Sequence, residues 1–244
     1  MREKRAFTLI EVVVACGILG LFMYGVYTLY TGGSKTAAKG QWINDAVNEL
    51  RNATSVIHKS INSATYPTTM FTDKFYDPCD NTDKSVAAQF YLKILKDSEK
   101  IETPASGQTT LMKWVVSSPE KPPLSTGKIT KHELILAFDA KYLTKPLGKL
   151  ILKTEAFTFT TDAHNNYARS GKLNLTPISD ESGVKTLVNN VLFVEFMVGG
   201  TIPPEKPVDF LPISVKICTG YPKDEKVVKE NSIMATPQVG IDLL

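Results

Sequence analysis

Catalytic signatures are what this sequence has least of. Its three histidines, His58, His132 and His164, show neither H-x-x-x-H nor H-E-x-x-H spacing, so no pair of imidazoles shares a helix face for zinc. His132-Glu133 is followed by Leu136 where the second histidine would have to stand. There is no G-x-S-x-G elbow, phosphate-binding loop or dinucleotide fingerprint. The S-x-x-K pattern occurs three times, at Ser118/Lys121, Ser125/Lys128 and Ser182/Lys185, without companion motifs in polar segments. Three such hits show how little that pattern discriminates. The sequence therefore supports no enzyme and no cofactor, and the lone histidines read as surface or helix-face residues. An excess of one charge is also missing, since 28 Lys and Arg oppose 25 Asp and Glu for a net +3. That is no electrostatic footprint for nucleic acid. Charge blocks, repeats and low-complexity tails are absent too.

Long apolar runs are equally rare, with one exception at the start. The basic leader Met-Arg-Glu-Lys-Arg-Ala runs directly into an apolar stretch, residues 7–30, broken by one acid, Glu11. At about 1.5 Å per residue this stretch covers a hydrocarbon core of roughly 30 Å with some tilt. A secretory signal would have a shorter apolar core, about 7–15 residues. The tight cluster Arg2, Lys4 and Arg5 keeps the first residues cytoplasmic and sends the rest of the chain outward. Lys35 and Lys39 on the far side reduce that bias by count. Glu11 is the anomaly. A carboxylate at mid-bilayer costs roughly 2.5–3.5 kcal/mol on insertion scales and commonly has a functional partner. Lying little more than one turn from Phe7, it could also snorkel to the headgroups.

Ala6-Phe7-Thr8-Leu9-Ile10-Glu11 resembles the class III signal of type IV pilins and of the pseudopilins of type II secretion. The resemblance implies cleavage by a prepilin peptidase between Ala6 and Phe7, and N-methylation of Phe7. It also implies pairing of Glu11 in the membrane with the free amine of a neighbouring subunit's Phe7. The family usually has Gly before the cut, and here Ala6 takes its place.

Beyond the span, Gly32, Gly33 and Gly40 soften any helix, each by about 1 kcal/mol relative to Ala. Ile43, Ala46, Val47, Leu50, Ala53, Ile57, Ile61 and Ala64 then recur at spacings of three and four. That pattern predicts an amphipathic helix ending near Tyr66-Pro67. The remainder predicts strands at 111–116, 133–138, 149–159, 192–198 and 213–218, separated by turn-rich pieces. Residues 90–95 fit strand or helix, and 186–190 suggest a short helical turn. The expected fold class is α+β, a long N-terminal helix packed on an antiparallel sheet. The expected divisions are a leader at 1–6, a membrane and polymerisation helix at 7–30, its amphipathic continuation at 31–66 and a β-rich head at 67–244.

Val188-Asn189-Asn190-Val191-Leu192-Phe193-Val194-Glu195-Phe196, a loop, then Leu211-Pro212-Ile213-Ser214-Val215-Lys216-Ile217 resembles the C-terminal pattern of a narrower group. That group holds the J-type minor pseudopilin and the W-type minor pilin. The resemblance implies a low-copy structural subunit that primes or caps a type II secretion pseudopilus or type IV pilus. Its implied partners are the prepilin peptidase, other minor pilins or pseudopilins, the major subunit and the inner-membrane assembly platform. Its implied location is the inner membrane, single-pass, with the head in the periplasm or outside, before incorporation at a fibre tip. A monomeric membrane-anchored binding domain, with Glu11 incidental, and a major pilin remain the alternatives.

Two smaller expectations complete the reading. Cys16 lies in the apolar stretch, whereas Cys79 and Cys218 fall outside the cytoplasm, where a disulfide between them would persist. Asp77, Asp80, Asn81 and Asp83 make an oxygen-rich loop of the kind that holds calcium. They lack the D-x-D-x-D-G frame, so a solvated turn is the expected reading, with no metal.

Overall fold

The computed structural model describes residues 8–64, 75–77, 82–84, 90–94, 100–119, 126–142, 144–160, 174–199, 212–237 and 240–243. The chain divides into two compact units, residues 1–45 and 46–244. One helix, α1 (Leu9–Asn62), supplies all the described structure of the first unit and opens the second.

In the first unit the helix has no buried residues, and it is apolar through Tyr30 apart from Glu11 and a few hydroxyl groups. Thr28, Thr31 and Thr36 turn their hydroxyls back onto the carbonyls of Tyr24, Tyr27 and Gly32, at 2.8, 2.9 and 3.0 Å. Such bonds remove the cost of a hydroxyl facing apolar surroundings.

In the second unit Ala46, Leu50, Ala53, Thr54, Ile57 and Ile61 are buried at steps of three and four. This is the stripe the sequence spacing implies. The helix ends at Asn62, earlier than Tyr66-Pro67. Its last turn tightens, with Ala64 N–H bonded to the Ile61 carbonyl at 3.0 Å. The Asn62 side chain is taken by the sheet, its Oδ1 accepting from Thr236 N–H at 3.0 Å.

The strands are β1 (Phe75–Asp77), β2 (Thr82–Lys84), β3 (Phe90–Ile94), β4 (Lys100–Glu102), β5 (Gln108–Pro119), β6 (Thr126–Tyr142), β7 (Lys145–Thr160), β8 (Asn174–Val198), β9 (Ile213–Tyr221), β10 (Asp224–Ala235) and β11 (Gly240–Leu243). The short β1 and β2 pair with each other. The others form one sheet in the order β10-β9-β8-β7-β6-β5-β3-β11, with β4 beside β8. All pairings are antiparallel except β11 with β3. The architecture is therefore the α+β arrangement that the helix and strand patterns imply.

Register explains the two faces. Leu134 pairs with Leu152 and Leu136 with Leu150, and all four join the buried cluster with Leu50, Ile57 and Ile61 of the helix. Each such fully buried side chain contributes on the order of 1.5–3 kcal/mol. One residue out of phase, Lys113, Glu133 and Lys153 align across β5, β6 and β7. Alternation of this kind marks a sheet with one solvated face.

Two expectations are corrected. Residues 186–190 are not a helical turn but lie inside β8. Asn190 has φ of 55°, a left-handed residue, and register shifts between β7 and β8 absorb the irregularity. The Asn-Asn pair is thus a strand irregularity whose composition mimics a turn. Strand β10 has no counterpart among the expected elements. Its first half, Asp-Glu-Lys-Val-Val-Lys-Glu, is charged, as edge strands commonly are.

Gly148 is required where β6, β7 and the segment after β4 meet. A Cβ there would stand 2.6 Å from the Ala137 carbonyl oxygen and 2.8 Å from Thr103 Cγ2. Thr103 is fixed in turn, its Oγ1 donating to the Val191 carbonyl at 2.6 Å and its N–H to the Leu192 carbonyl at 2.9 Å.

Candidate functional site

The first turn of α1 holds the residues that the sequence marks for function. Thr8 immediately precedes the helix, and Glu11 is its third residue. Glu11 Oε2 accepts from Thr8 N–H at 2.8 Å and from Thr8 Oγ1 at 2.9 Å. Glu11 N–H approaches Thr8 Oγ1 at 3.4 Å. This reciprocal arrangement is a capping box, which satisfies donors that a helix start otherwise leaves orphaned. Its sequence signal, Thr-x-x-Glu, sits within the same string in which the acid interrupts the apolar run. Both bonds use one carboxylate oxygen, so Oε1 carries neither. Ala6 and Phe7, the expected cleavage and methylation positions, lie outside the described residues.

The span behind this turn is not buried by any of the described residues. It is the one helix among the described residues long and apolar enough to cross a membrane, with mean hydropathy 2.2 over its most apolar window and none of that window buried. Leu9 is 86% exposed and Leu29 is 78% exposed. A helix at the centre of a soluble core would be covered. This one needs lipid or other helices around it.

The remaining expected sites do not converge. Among the described residues no three His, Cys, Asp or Glu come together for a metal ion. Asp77 and Asp83 lie on the paired strands β1 and β2, and Asp80 and Asn81 lie outside the described residues. Cys218 is buried and unbonded in β9, where burial first, and then Glu230, push its thiol pKa up. Its expected partner Cys79 lies outside the described residues, as does His164. His58 is on the helix, 3.1 Å from Asn62 Nδ2 through its Nε2.

His132 departs from the surface role expected of it. On β6 it stacks against the buried Trp114 with ring centroids 5.3 Å apart and planes 23° from parallel. Its Nδ1 lies 3.3 Å from Thr154 Oγ1, and burial lowers its pKa to about 4. The imidazole is a packing element there, set between Trp114 and Thr154.

The narrower C-terminal string falls on β8 and β9, which pair antiparallel from Val191–Thr219 to Val198–Ile213. Leu211 lies outside the described residues. Asn189, inside this string, is held by Glu49 of the helix through its backbone and side chain.

A family model described as the prokaryotic N-terminal methylation motif matches residues 1–27. The match covers the basic leader, Thr8, Glu11 and most of the apolar span, and it supports a type IV pilin-like prepilin signal. No curated protein and no solved structure matches the chain. Motif, unburied apolar helix and α+β head together fit a membrane-anchored, single-pass, pilin-like protein.

Proposed function

We propose that the chain is a minor pilin or pseudopilin, a non-catalytic subunit that primes or caps a type II secretion pseudopilus or type IV pilus. The observation that carries this reading is the match of residues 1–27 to the N-terminal methylation motif, at the head of an apolar helix whose most apolar window has no burial among the described residues. Prepilin peptidase removes residues 1–6 and Phe7 becomes the methylated first residue. The head then faces the periplasm while the apolar span at the start of α1 stays in the inner membrane. From there the subunit joins other minor pilins, the major subunit and the assembly platform. The minor role draws on the size of the head, whose main sheet has nine strands among the described residues. A bulky head is accommodated most easily at a tip, where neighbours crowd one side. The J- or W-like placement draws on the β8–loop–β9 string.

Quantitative proteomics of sheared fibres, beside a deletion strain, tests this proposal. A scarce component whose loss sharply reduces fibre number or secretion supports it. A dominant component of the shaft makes the chain a major pilin instead.

One observation favours a second reading, a monomeric membrane-anchored binding domain. The Glu11 carboxylate is already hydrogen-bonded within its own chain, so it does not require a neighbour. Such an anchor would keep its first residues, whereas a pilin subunit loses them.

A further inference from the structure

The polar aromatic residues of the apolar span are gathered at one end of it. From Val12 to Met23 the helix carries no charge, no hydroxyl and neither Tyr nor Trp. The next seven residues, Tyr-Gly-Val-Tyr-Thr-Leu-Tyr, hold three of the nine tyrosines in the chain. Tyr24, Tyr27 and Tyr30 are 71, 67 and 74% exposed, so no described residue covers their rings. Steps of three place them on successive turns along one side of the helix, each turned about 60° from the last.

Hydroxyls at this level fall into two kinds. Thr28 and Thr31 donate back to the carbonyls of Tyr24 and Tyr27, at 2.8 and 2.9 Å, and are satisfied within the helix. A phenol cannot do this, because its rigid ring carries the oxygen outward from its own backbone. Its donor needs an acceptor outside the helix, and leaving it without one in hydrocarbon is costly. A tyrosine meets both demands where its ring lies at the acyl boundary and its hydroxyl among headgroup oxygens.

The other end of the span supplies the matching stop. Glu11 precedes Tyr30 by 19 residues, about 28 Å of helix against roughly 30 Å of hydrocarbon. Sliding the chain toward the tyrosine end draws the Glu11 carboxylate into the core, where a charge is expensive. Sliding it back draws in the three phenols and then Lys35.

We propose that Tyr24, Tyr27 and Tyr30 form a lipid-headgroup site. Their hydroxyls donate to phosphate and ester oxygens of phospholipids in the leaflet opposite the leader, and so fix how deep α1 sits. This rests on the membrane-anchored reading of the span and not on assembly into a fibre.

Solid-state NMR on the full chain tests it, with tyrosine labelled at Cζ with carbon-13. The chain is held in vesicles of phosphatidylethanolamine and phosphatidylglycerol in phosphate-free buffer, so lipid is the only source of phosphorus. About a third of the tyrosine signal, three residues of nine, should lose intensity through coupling to lipid phosphorus. In the triple variant Tyr24→Phe, Tyr27→Phe, Tyr30→Phe, which keeps the rings, the coupled signal should fall at least about fivefold. Flotation with the vesicles at alkaline pH separates insertion from contact. A chain that floats yet shows no coupled tyrosine overturns the proposal and leaves the span in place. A triple variant whose coupled signal matches the wild type puts the contact on other tyrosines and overturns it too. A chain that does not float overturns the span as well.

Discussion

Glu49 of the helix holds Asn189 of β8 with both carboxylate oxygens: Oε2 accepts the backbone N–H at 2.9 Å, and Nδ2 donates to Oε1 and Oε2 at 3.1 and 3.2 Å. Two further polar ties follow along the helix. Asn231 Nδ2 of β10 donates to Thr54 Oγ1 at 3.0 Å, and Thr236 N–H donates to Asn62 Oδ1 at 3.0 Å. Apolar burial supplies the attraction between helix and sheet but is non-directional. The three ties fix which turn of the helix meets which strand.

Glu49→Ala removes an ionised acceptor and leaves the Asn189 groups unpaired in a half-buried site. Hydrogen bonds to charged groups are worth about 1.5–3 kcal/mol. For a head of this size that is a fall in melting temperature of roughly 3–12 °C. Circular dichroism melts of the detergent-solubilised chain should show it, with Glu49→Gln losing less.

Gly148→Ala should be the costlier change of a matched pair. The new methyl would meet the Ala137 carbonyl oxygen at 2.6 Å, and backbone cannot step aside as a side-chain tip can. Overpacking of this sort typically costs about 1–3 kcal/mol. Gly183→Ala, with nothing within 4 Å of its Cβ position, should lie within about 0.5 kcal/mol of wild type. Urea unfolding of both variants measures the difference.

Acid should weaken the head through His132. Its folded pKa, about 4 against 6.5 for the ordinary side chain, is depressed by burial beside Trp114. Between those values the unfolded chain binds the proton and the folded chain does not, so stability rises with pH. The contribution is complete above pH 6.5 and is lost as pH falls toward 4, an upper figure of about 3 kcal/mol. Glu225, its carboxyl held below the usual range by the Thr144 hydroxyl and N–H, acts in the same direction at lower pH. Comparing urea midpoints at pH 7 and pH 4.5 isolates the histidine, because His132→Phe should show the smaller drop.

How much of this was legible in the sequence depends on the range of each interaction. The membrane helix and its signal are contiguous, so Arg5 to Glu11 and the apolar run could be read directly. Strands β5, β6 and β7 alternate cleanly enough to find. The Asn62 stop could not be found, because the group that engages the Asn62 side chain there, Thr236 N–H, is far away in sequence. Glu49 gave no signal for the same reason, since its partner is 140 residues distant. Strand β10 was hidden by the charges that suit an edge, and His132 by the absence of any motif around it. The capping box of Thr8 and Glu11 was legible, and it supplies a structural role for the acid beside the proposed assembly role.

Those two roles separate chemically. Glutamine can take the glutamate's place in a capping box but has no charge to pair with an amine. Glu11→Gln should therefore leave membrane insertion and leader removal intact while incorporation into sheared fibres falls sharply. Incorporation equal to wild type would assign Glu11 to capping alone.

The central claim, a processed pilin-like subunit, is tested most directly by the mass of the native protein's N-terminal peptide. Protein purified from cells with an active prepilin peptidase should yield a peptide beginning at Phe7 and carrying an N-methyl group. A peptide that still begins at Met1 or Arg2 in those cells would contradict the account and leave a simple membrane anchor in its place.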